Sequence, residues 1–348
     1  MEATVWLTGF QIFGGHDSNV SKDVAERLLN RNVEAKIESK PPFLFESESV
    51  NINFEGEILS VDEKGSKYTT EKLESFLPDA IIHLGLKESA SKVNLELCAI
   101  NQNEFRIADN SGRQLQNSLI EENGLPLLHT TSHAPTLRLY AAENHDVEIS
   151  EDCGRFVCNE TFYRTLNKIE SNLLLVRNRP IPALFMHLPP EEKIDVSRLE
   201  SIVLEVAARI VQKPVMQVVG GAVISEEGKV LACQRSSNQE MGGYWEFPGG
   251  KIEADESAES ALAREMDEEL GLNVEVVRCI GKFSHDYGPM ILHLMFFSCI
   301  ADGQTPVLRV HDDLKWLTED EVHSVEWLPP DVGFVENLAL DGFRKLRD

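Results

Sequence analysis

Residues 250–272 read GKIEADESAESALAREMDEELGL, and this stretch decides the fold of the C-terminal part of the chain. It places Glu265, Glu268 and Glu269 at positions i, i+3 and i+4 of a predicted helix, so the three side chains share one helix face. Carboxylates this close repel one another unless a cation lies between them. A hard divalent cation with oxygen ligands fits this pattern, and Mg²⁺ bound in this way leaves positions for water and substrate phosphates. The alternative interpretation is a solvated acidic helix face.

The residues that flank these glutamates favour the metal site. Gly250, Glu256 and Arg264 precede or border them at fixed spacing, and Gly271-Leu272 follows. This pattern resembles the Nudix box of MutT-type hydrolases at each fixed position. The similarity runs from residue 215 to the C terminus and implies the Nudix α/β/α sandwich. It identifies a first strand at 218–224, a returning strand at 230–233, a strand entering a glycine-rich turn at 245–251 and a last strand at 314–317.

The Nudix resemblance implies a metal-dependent reaction on nucleotides. Glu268 is implied in catalysis, and Arg264 would hold the glutamates in place. Arg235 matches a phosphate-contacting arginine, with an ordinary surface cation as the alternative. The implied reaction is attack of an activated water on a nucleoside triphosphate, which gives a nucleoside monophosphate and pyrophosphate. The implied cofactor is Mg²⁺, with Mn²⁺ as an alternative, and the implied ligands are the carboxylates of Glu265, Glu268 and Glu269 and the carbonyl oxygen of Gly249.

Two positions depart from the MutT pattern. A further glutamate often lies six residues before the tryptophan matched by Trp316, and here that position is Val310. Either a neighbour such as Asp312 replaces this carboxylate or it is absent. The position at which MutT reads an oxidised guanine with an asparagine is Asp331 here, and an aspartate presents a different hydrogen-bonding pattern. The base therefore stays open between substrates of the 8-oxo-dGTP type and of the CTP or dCTP type.

A cysteine, a histidine and a carboxylate in the first two-thirds of the chain are candidates for a thiol nucleophile and its base. They are Cys158, His187 and Glu96. The chain has 6 cysteines and 10 histidines, and most cysteines of soluble proteins are small buried hydrophobes, so these residues alone are a weak signal. If the set is catalytic, the histidine is expected to lower the thiol pKa, so that a thiolate is present at working pH.

Five sequence blocks within about residues 3–211 resemble pyroglutamyl peptidase I and occur in that family's order. The resemblance implies that Cys158 attacks the carbonyl that follows an N-terminal pyroglutamyl residue, that His187 is the base and that Glu96 orients the imidazole. It also implies a three-layer α/β domain with a mixed, twisted sheet. The blocks are TGFQIFGG at 8–15, VNLELCAIN at 93–101, FRIADN at 105–110, GRFVCN at 154–159 and FMHLP at 185–189.

The same resemblance implies a substrate pocket. Phe10 and Phe13 match the aromatic walls that hold the lactam ring, with plain core residues as the alternative. Asn19 is implied to support the loop that carries them. Phe156 and Val157 are implied to offer pocket and backbone contacts, and Arg106 is implied to lie near the developing oxyanion.

Several positions depart from the pyroglutamyl peptidase pattern. Ile12 and Val20 stand where the family usually has proline, and Leu86 stands where bacterial members have a glutamine. Leucine cannot hydrogen-bond a lactam, although animal members also lack that glutamine. The alternative function is therefore a Nudix hydrolase that carries a catalytically dead pyroglutamate-binding module, in which Cys158 is an inert buried thiol.

Length and charge bound these interpretations. The 348 residues are enough for two α/β domains, predicted at 1–213 and 214–348. A formal net charge of −25 argues against binding duplex nucleic acid, which needs basic surface, but not against a nucleotide that a cation accompanies. No apolar run reaches membrane-spanning length and no CxxC spacing occurs, so we expect a cytoplasmic protein with free thiols and no membrane partner. The expected partners are nucleoside triphosphates and pyroglutamyl peptides, and the oligomeric state stays open.

Two further segments carry predictions about local structure. Residues 199–212 place apolar side chains on one stripe, which predicts an amphipathic helix that ends before Pro214. Residues 46–67 are polar and acidic, which predicts a loop-rich excursion that contains one strand.

Overall fold

The protein is described here by a computed structural model that covers residues 1–15, 17–341 and 343–346. Its internal contacts divide the chain into two compact units. The first combines Met1–Glu38 with Phe45–Pro214, and the second combines Ser39–Leu44 with Val215–Asp348. The short segment Ser39–Leu44 therefore contributes to the second unit although it is flanked in sequence by the first.

Strands and helices alternate along much of the chain. In chain order the strands are β1 (Glu2–Phe10), β2 (Asn32–Lys36), β3 (Phe43–Phe45), β4 (Ser49–Leu59), β5 (Ala80–Leu86), β6 (Val93–Glu96), β7 (Cys98–Ile100), β8 (Leu127–His129), β9 (Val147–Ser150), β10 (Leu175–Val176), β11 (Arg179–Pro180), β12 (Ala183–Leu188), β13 (Pro214–Val223), β14 (Val230–Gln234), β15 (Trp245–Glu246), β16 (Gly249–Lys251), β17 (Glu275–Asp286), β18 (Ile291–Ile300) and β19 (Asp313–Leu317). The helices are α1 (Val20–Leu28), α2 (Glu63–Lys72), α3 (Ala134–Glu143), α4 (Val157–Ser171), α5 (Val196–Ile210), α6 (Ala258–Leu270) and α7 (Pro329–Asp341), with short 3₁₀ turns at Val322–Ser324 and Phe343–Leu346.

The first unit is built on a seven-stranded mixed sheet in the order β2-β4-β1-β5-β12-β6-β9. The central strand β1 pairs in parallel with β4 and β5, and β12 pairs in parallel with β5 but antiparallel with β6. Val5 and Leu7 face a core that includes residues of α1 and α5, whereas Trp6 faces a core that includes residues of α4. Since alternate residues of a strand point to opposite faces, helices cover both sides of the sheet. The predicted three-layer α/β architecture is confirmed.

Local sequence explains the helices and corrects one prediction. Asp195 caps α5 by accepting the backbone N–H groups of Ser197 and Arg198, and the helix confirms the one predicted from the stripe at 199–212. For residues 46–67 the predicted strand is present, but the predicted loop-rich character is wrong, because β4 is a strand of 11 residues within the main sheet. Its alternate residues are buried while the polar residues between them are partly exposed, which the acidic composition concealed.

The second unit contains two sheets and two main helices. One sheet has the order β16-β13-β18-β17, with β3 paired to β13, and the other has the order β15-β14-β19. Val219 and Val223 of β13 face a core that includes the buried residues of α6, and Ala222 and Ile224 face a core that includes those of α7. The predicted α/β/α sandwich is confirmed. In the parts of the chain that the structure describes, no helix is both long enough and apolar enough to cross a bilayer.

Candidate active sites

Cys158 lies at the start of helix α4, for which Phe156 is the N-cap residue. Gly154, just upstream, has φ +75°, a left-handed conformation that favours glycine and reverses the chain into the helix. A Cβ built on Gly85 would lie 3.1 Å from the Cys158 sulfur, so the sulfur packs against β5 at this glycine. Gly85 is paired with His187 of β12 in the sheet register. The fold therefore brings Cys158 and His187 to neighbouring positions.

Glu96 and His187 form a buried hydrogen-bonded pair. They lie on the adjacent antiparallel strands β6 and β12, and Nδ1 of His187 is 2.7 Å from Oε1 of Glu96. Glu96 is fully buried and His187 is 5% exposed. A carboxylate acceptor favours the imidazole tautomer with its hydrogen on Nδ1, which leaves Nε2 as an acceptor. This is the geometry that an orienting carboxylate requires.

The thiol of Cys158 is not ionised in advance. Burial, followed by the negative charge of Glu96, raises the pKa of Cys158 to about 12. The expectation that a neighbouring histidine lowers the thiol pKa is therefore wrong for the substrate-free protein. The hydrogen bonds of the described residues include none between Cys158 and His187, and such contacts often tighten only when substrate binds. Attack by the sulfur consequently needs a base to remove its proton, and Nε2 of His187 can act as that base.

Two of the predicted pocket residues face each other across two loops. The rings of Phe13 and Phe156 have centroids 5.9 Å apart, and Phe156 packs edge-on against Phe105 at 4.7 Å. Asn19 stabilises the loop of Phe13, since its side-chain amide donates to the carbonyl oxygen of Gln11 at 3.1 Å. Aromatic walls on a supported loop suit a small, flat ring such as a lactam.

The other three predicted contacts of this pocket differ in how far they are buried. Phe10 is 2% exposed and packs in the core against Phe185, with ring centroids 6.3 Å apart. Val157 is buried in the first turn of α4. Arg106 is exposed. The structure therefore buries Phe10 and Val157 and exposes Arg106, and the contacts of these three residues with a substrate stay predictions.

Helix α6 presents its acidic residues away from the core. Ser257 caps its first turn by accepting the N–H of Ser260, and the helix ends at Gly271 in the left-handed conformation. The helix buries one apolar face, made of Ala261, Leu262, Met266 and Leu270. The glutamates of the box therefore lie on the remaining, more accessible face.

Arg264 forms ion pairs with three glutamates at the acidic face. Its guanidinium lies 2.9 Å from Oε1 of Glu265, 3.6 Å from Oε2 of Glu268 and 2.7 Å from Oε1 of Glu256. One of its nitrogens also donates to the carbonyl oxygen of Lys251 at 3.1 Å. These contacts match the positioning role implied for Arg264, and they reduce the repulsion between the carboxylates.

Glu269 is tied to the glycine-rich turn instead. The N–H of Gly249 donates to Oε2 of Glu269 at 3.1 Å. A Cβ on Gly250 would lie 2.2 Å from Oε1 of Glu265, so only glycine lets that carboxylate approach the turn. Burial raises the pKa of Glu269 to about 7, and the charge of Glu265 acts in the same direction.

These groups fit a divalent cation held by oxygen ligands. Among the described residues, the three carboxylates are not gathered to within 4.8 Å of one another. They are held instead by Arg264 and by the N–H of Gly249. A carboxylate whose pKa is raised by burial and like charge gains from a nearby cation. A set of oxygen donors is the one that Mg²⁺ and Mn²⁺ prefer.

Arg235 and Asp331 contribute to one polar cluster. Arg235 lies 2.8 Å from Oε2 of Glu246. Asp331 is in the first turn of α7 and is 5% exposed. Burial, then the charge of Glu246, raises the pKa of Asp331 well above its usual value, and the charge of Arg235 opposes this effect. Burial thus favours the protonated carboxyl of Asp331, which presents an O–H donor beside a carbonyl acceptor.

Comparison with known proteins follows the same division. The family model for pyroglutamyl peptidase matches residues 3–219, and the model for the NUDIX domain matches residues 215–343. The protein named "Putative 8-oxo-dGTP diphosphatase 2" of Mycobacterium tuberculosis is 38% identical over 125 residues, which cover 35% of this chain and 86% of that protein. The chain belongs to both the pyroglutamyl peptidase and the Nudix families.

Two further relatives each match one of these parts. Pyrrolidone-carboxylate peptidase of Bacillus cereus is 30% identical over 193 residues, covering 54% of this chain and 80% of that protein. CTP pyrophosphohydrolase of Escherichia coli is 33% identical over 115 residues, covering 33% of this chain and 85% of that protein. The chain is therefore an enzyme that combines a unit of the pyroglutamyl peptidase family with a unit of the Nudix family. We call its first compact unit the peptidase unit and its second the Nudix unit.

The sequence did not reveal an ion-pair network behind the peptidase centre. Arg113 lies 2.7 Å from Oδ2 of Asp109 and 2.9 Å from Oε2 of Glu160, and both carboxylates are inaccessible to solvent. Glu160 follows Cys158 by two positions on α4. The network therefore ties the loop of Asp109 to the helix turn that carries the nucleophile. Asp109 lay in a matching block, but its partners are fixed only by the fold.

The sequence also did not identify the partners of Arg235 in the Nudix unit. Nε2 of His311 lies 3.3 Å from Oε1 of Glu246, and the His311 side chain is 3% exposed. Val310 is exposed, and Asp312 accepts the backbone N–H of Ser237 at 2.9 Å. His311, rather than either neighbour, is thus the residue of this segment that reaches Glu246. The MutT pattern has a carboxylate at position 310, so it points to that position, whereas it has no feature that points to His311.

Proposed function

We propose that the chain is a bifunctional hydrolase. Its Nudix unit would be a metal-dependent nucleoside triphosphate pyrophosphohydrolase, and its peptidase unit would remove N-terminal pyroglutamate from peptides. The observation that carries the peptidase proposal is the 2.7 Å hydrogen bond between buried Glu96 and His187, at the sheet position next to Cys158. The nucleotide proposal rests on the carboxylates that α6 holds around Arg264.

In the proposed peptidase reaction, the Cys158 sulfur attacks the carbonyl carbon of the pyroglutamyl residue. Nε2 of His187 takes the thiol proton as the C–S bond forms, because burial keeps the thiol protonated until then. Glu96 accepts the Nδ1–H and stabilises the imidazolium. The imidazolium gives its proton to the leaving amine as the C–N bond breaks. Water then hydrolyses the thioester and releases pyroglutamate.

The proposed pocket for the lactam lies between Phe13 and Phe156. Aromatic side chains on both sides would bury the faces of the lactam ring and fix its orientation. Leu86 is partly buried, packs against the core that includes residues of α1 and α5, and offers no side-chain hydrogen bond. We therefore expect binding to rest on shape and burial, with a slower turnover than a pocket with a side-chain donor would give.

For the Nudix unit we propose a nucleoside triphosphate with an oxidised purine or a cytosine base as substrate. The support is the similarity to proteins named as an 8-oxo-dGTP diphosphatase and a CTP pyrophosphohydrolase. The proposed products are a nucleoside monophosphate and pyrophosphate. Asp331 is the proposed base-reading residue, and Arg235 the proposed phosphate contact once it exchanges its bond to Glu246.

The proposed metal ligands are Glu265, Glu268, Glu269 and the carbonyl oxygen of Gly249. When bound there, Mg²⁺ or Mn²⁺ would neutralise phosphate charge and lower the pKa of a water molecule. Arg264 keeps Glu265 and Glu268 on the side of the helix that faces the turn. Glu268, whose side chain is 60% exposed, is the proposed catalytic carboxylate of this set.

We propose a functional division at 1–213 and 214–348, with the segment 39–44 contributing structure to the Nudix unit. We also propose a cytoplasmic location. All 6 cysteines are free thiols, and this fits a reducing compartment.

The test uses the purified full chain. Normal and oxidised nucleoside triphosphates are incubated with Mg²⁺ or Mn²⁺, and phosphorus NMR identifies the products. We expect a monophosphate and pyrophosphate, and release of inorganic phosphate alone would contradict the proposal.

A chromogenic pyroglutamyl amide tests the peptidase in the same sample. No release above background, with slow alkylation of Cys158, would favour the Nudix hydrolase with a dead pyroglutamate-binding module.

A further inference from the structure

Three metal-ligating side chains meet beside the peptidase centre. One ligand atom from each of Glu96, Cys153 and His187 lies within 4.8 Å of the other two. All three residues are buried, and Cys153 is 5% exposed. The peptidase reaction derived above uses Glu96 and His187 but gives Cys153 no role. A thiol, an imidazole and a carboxylate are the donors that a borderline divalent transition metal takes in proteins.

The position of Cys153 is set by the sheet. Strands β6 and β9 run parallel, with Glu96 paired to Ser150, and the N–H of Leu97 donates to the carbonyl oxygen of Ser150 at 2.8 Å. The chain reaches Cys153 three residues beyond the end of β9 and then turns at Gly154 into α4. Backbone hydrogen bonds therefore hold the stem of this loop against the strand of Glu96.

The carboxylate of Glu96 has an unused oxygen. Its Oε1 binds His187, but Oε2 has no hydrogen-bond partner among the described residues although Glu96 is fully buried. The Lys87 ammonium lies 4.0 Å from Oε1 of Glu96 and donates to Oδ1 of Asn94 at 2.8 Å. Buried acceptors are normally satisfied. An unsatisfied carboxylate oxygen beside a thiol and an imidazole is a position that a cation would occupy.

We propose that Glu96, Cys153 and His187 form a binding site for a divalent transition metal of the Zn²⁺ type. Tetrahedral Zn²⁺ has bonds of about 2.0 to 2.3 Å, so its ligand atoms lie roughly 3.3 to 3.8 Å apart. The three ligand atoms lie within 4.8 Å of one another, so small side-chain movements can bring them to that spacing. The fourth position is left for water or for the sulfur of Cys158. Because Cys158 is only half-buried, a metal ion could reach the site from solvent past this residue.

Metal binding would switch the peptidase off. The thiol of Cys153 loses its proton to solvent when it becomes a ligand, and the two anionic ligands balance the charge of the metal. His187 is then held by the metal and cannot take the proton of Cys158. Mg²⁺ would not compete, because it prefers oxygen donors. The loss of activity rests on the proposed peptidase function, whereas metal binding does not.

Cobalt spectroscopy tests the site directly. The full chain, with excess Mg²⁺ to fill the Nudix unit, is titrated with Co²⁺, and thiolate-to-cobalt charge-transfer absorption is recorded. We expect one equivalent per chain, displaced by Zn²⁺. Cys153→Ser should lower the Co²⁺ affinity by at least the about 10- to 100-fold that loss of an outer hydrogen-bonding partner costs a metal site. Cys98→Ser is the matched control, because the buried Cys98 donates to the carbonyl oxygen of Glu151 and supplies no atom to the cluster.

Two outcomes would overturn the proposal. One is a wild-type chain without thiolate charge transfer, which needs no variant to fold. The other is a folded Cys153→Ser chain that binds Co²⁺ as tightly as the Cys98→Ser control. Inhibition is measured separately with Zn²⁺ and a pyroglutamyl amide, and Cys153→Ser should raise the half-inhibiting concentration about 10-fold or more. If the amide is not cleaved at all, the proposed peptidase function fails while the cobalt result still decides the metal site.

Discussion

The two centres of this molecule are organised by different forces. In the peptidase unit, Glu96 and His187 lie on adjacent strands and are held at 2.7 Å by their own hydrogen bond. In the Nudix unit, the side chain of Glu268 is 60% exposed, and the box carboxylates are spread around Arg264 and the N–H of Gly249. The first pair is oriented by a direct hydrogen bond between its own members, whereas the second set is spaced by a cationic side chain and a backbone N–H.

The two activities should therefore be sensitive to different changes. The peptidase centre depends on single side chains that no other residue replaces, since its geometry is fixed by strand register. The Nudix centre depends on charge, because several carboxylates and a cation share the task. Chelation of divalent metal should therefore abolish nucleotide hydrolysis without lowering peptidase activity, and substitutions should separate the two activities in the same way.

The largest effect is expected for Cys158→Ser. The serine hydroxyl has a much higher pKa than the thiol, so pyroglutamyl amide hydrolysis should fall by about 10⁴- to 10⁶-fold. His187→Ala should cost a similar factor, and Glu96→Gln less, because the orienting group of a triad contributes least. Nucleotide hydrolysis in the same samples serves as the internal control, and Cys279→Ser, at an exposed cysteine, controls for thiol loss in general. Retained amide hydrolysis in Cys158→Ser would remove Cys158 from the reaction.

The second largest effect is expected for substitutions of the α6 glutamates in the Nudix unit. Glu268→Gln or Glu269→Gln removes one negative charge from the proposed metal site, and nucleoside triphosphate hydrolysis should fall by about 10²- to 10⁴-fold. The α6 helix should stay folded, which circular dichroism can verify. Asp267→Asn is the matched control, since Asp267 lies on the same helix, its side chain is 75% exposed, and it lies 4.0 Å from the Arg309 guanidinium. Normal turnover in both glutamine variants would refute the metal assignment.

The same contrast explains what the sequence could reveal. The α6 glutamates and Arg264 were accessible because a helix converts sequence spacing directly into a shared face. The blocks around Glu96 and His187 were identified by resemblance, but the bond between them depends on the pairing of β6 with β12. Arg113, Glu246, His311 and Cys153 were not found, because each acts through a partner distant in sequence whose proximity only the folded chain creates.

The strand β4 illustrates the same limit within the fold. Ile52 and Phe54 are buried on one face, while Asn51 and Asn53 between them are partly exposed. Alternation was present in the sequence, yet the acidic residues that follow suggested a loop. Parallel pairing with β1 along the length of that strand is a long-range interaction, and no local signal reports it.

A smaller effect concerns the pH dependence of stability. Burial raises the pKa of Glu269 from the usual 4.5 to about 7 in the metal-free protein. Its contribution to stability is fully present below about pH 4.5 and is lost as pH rises through about 7, because the unfolded chain gives up this proton first. Thermal unfolding in chelator should therefore show the Nudix unit melting at lower temperature as pH rises over that interval. Glu269→Gln should flatten the trend, and Mg²⁺ should reverse it. A wild-type trend that Glu269→Gln does not change would assign it to another group.

The smallest effect is expected for Asp331→Asn. Because burial favours the protonated carboxyl of Asp331, the side chain presents one donor and one acceptor, and an asparagine amide preserves both. The ratio of kcat/KM for 8-oxo-dGTP to that for dCTP should then change by less than about threefold, whereas Asp331→Ala should change it by about 10- to 100-fold by leaving a base edge unpaired. A reversal of base preference in Asp331→Asn would show that the carboxylate is ionised when it reads the base. An unchanged ratio in Asp331→Ala would remove Asp331 from the base site and leave Arg235 and Glu246 as the polar groups that define it.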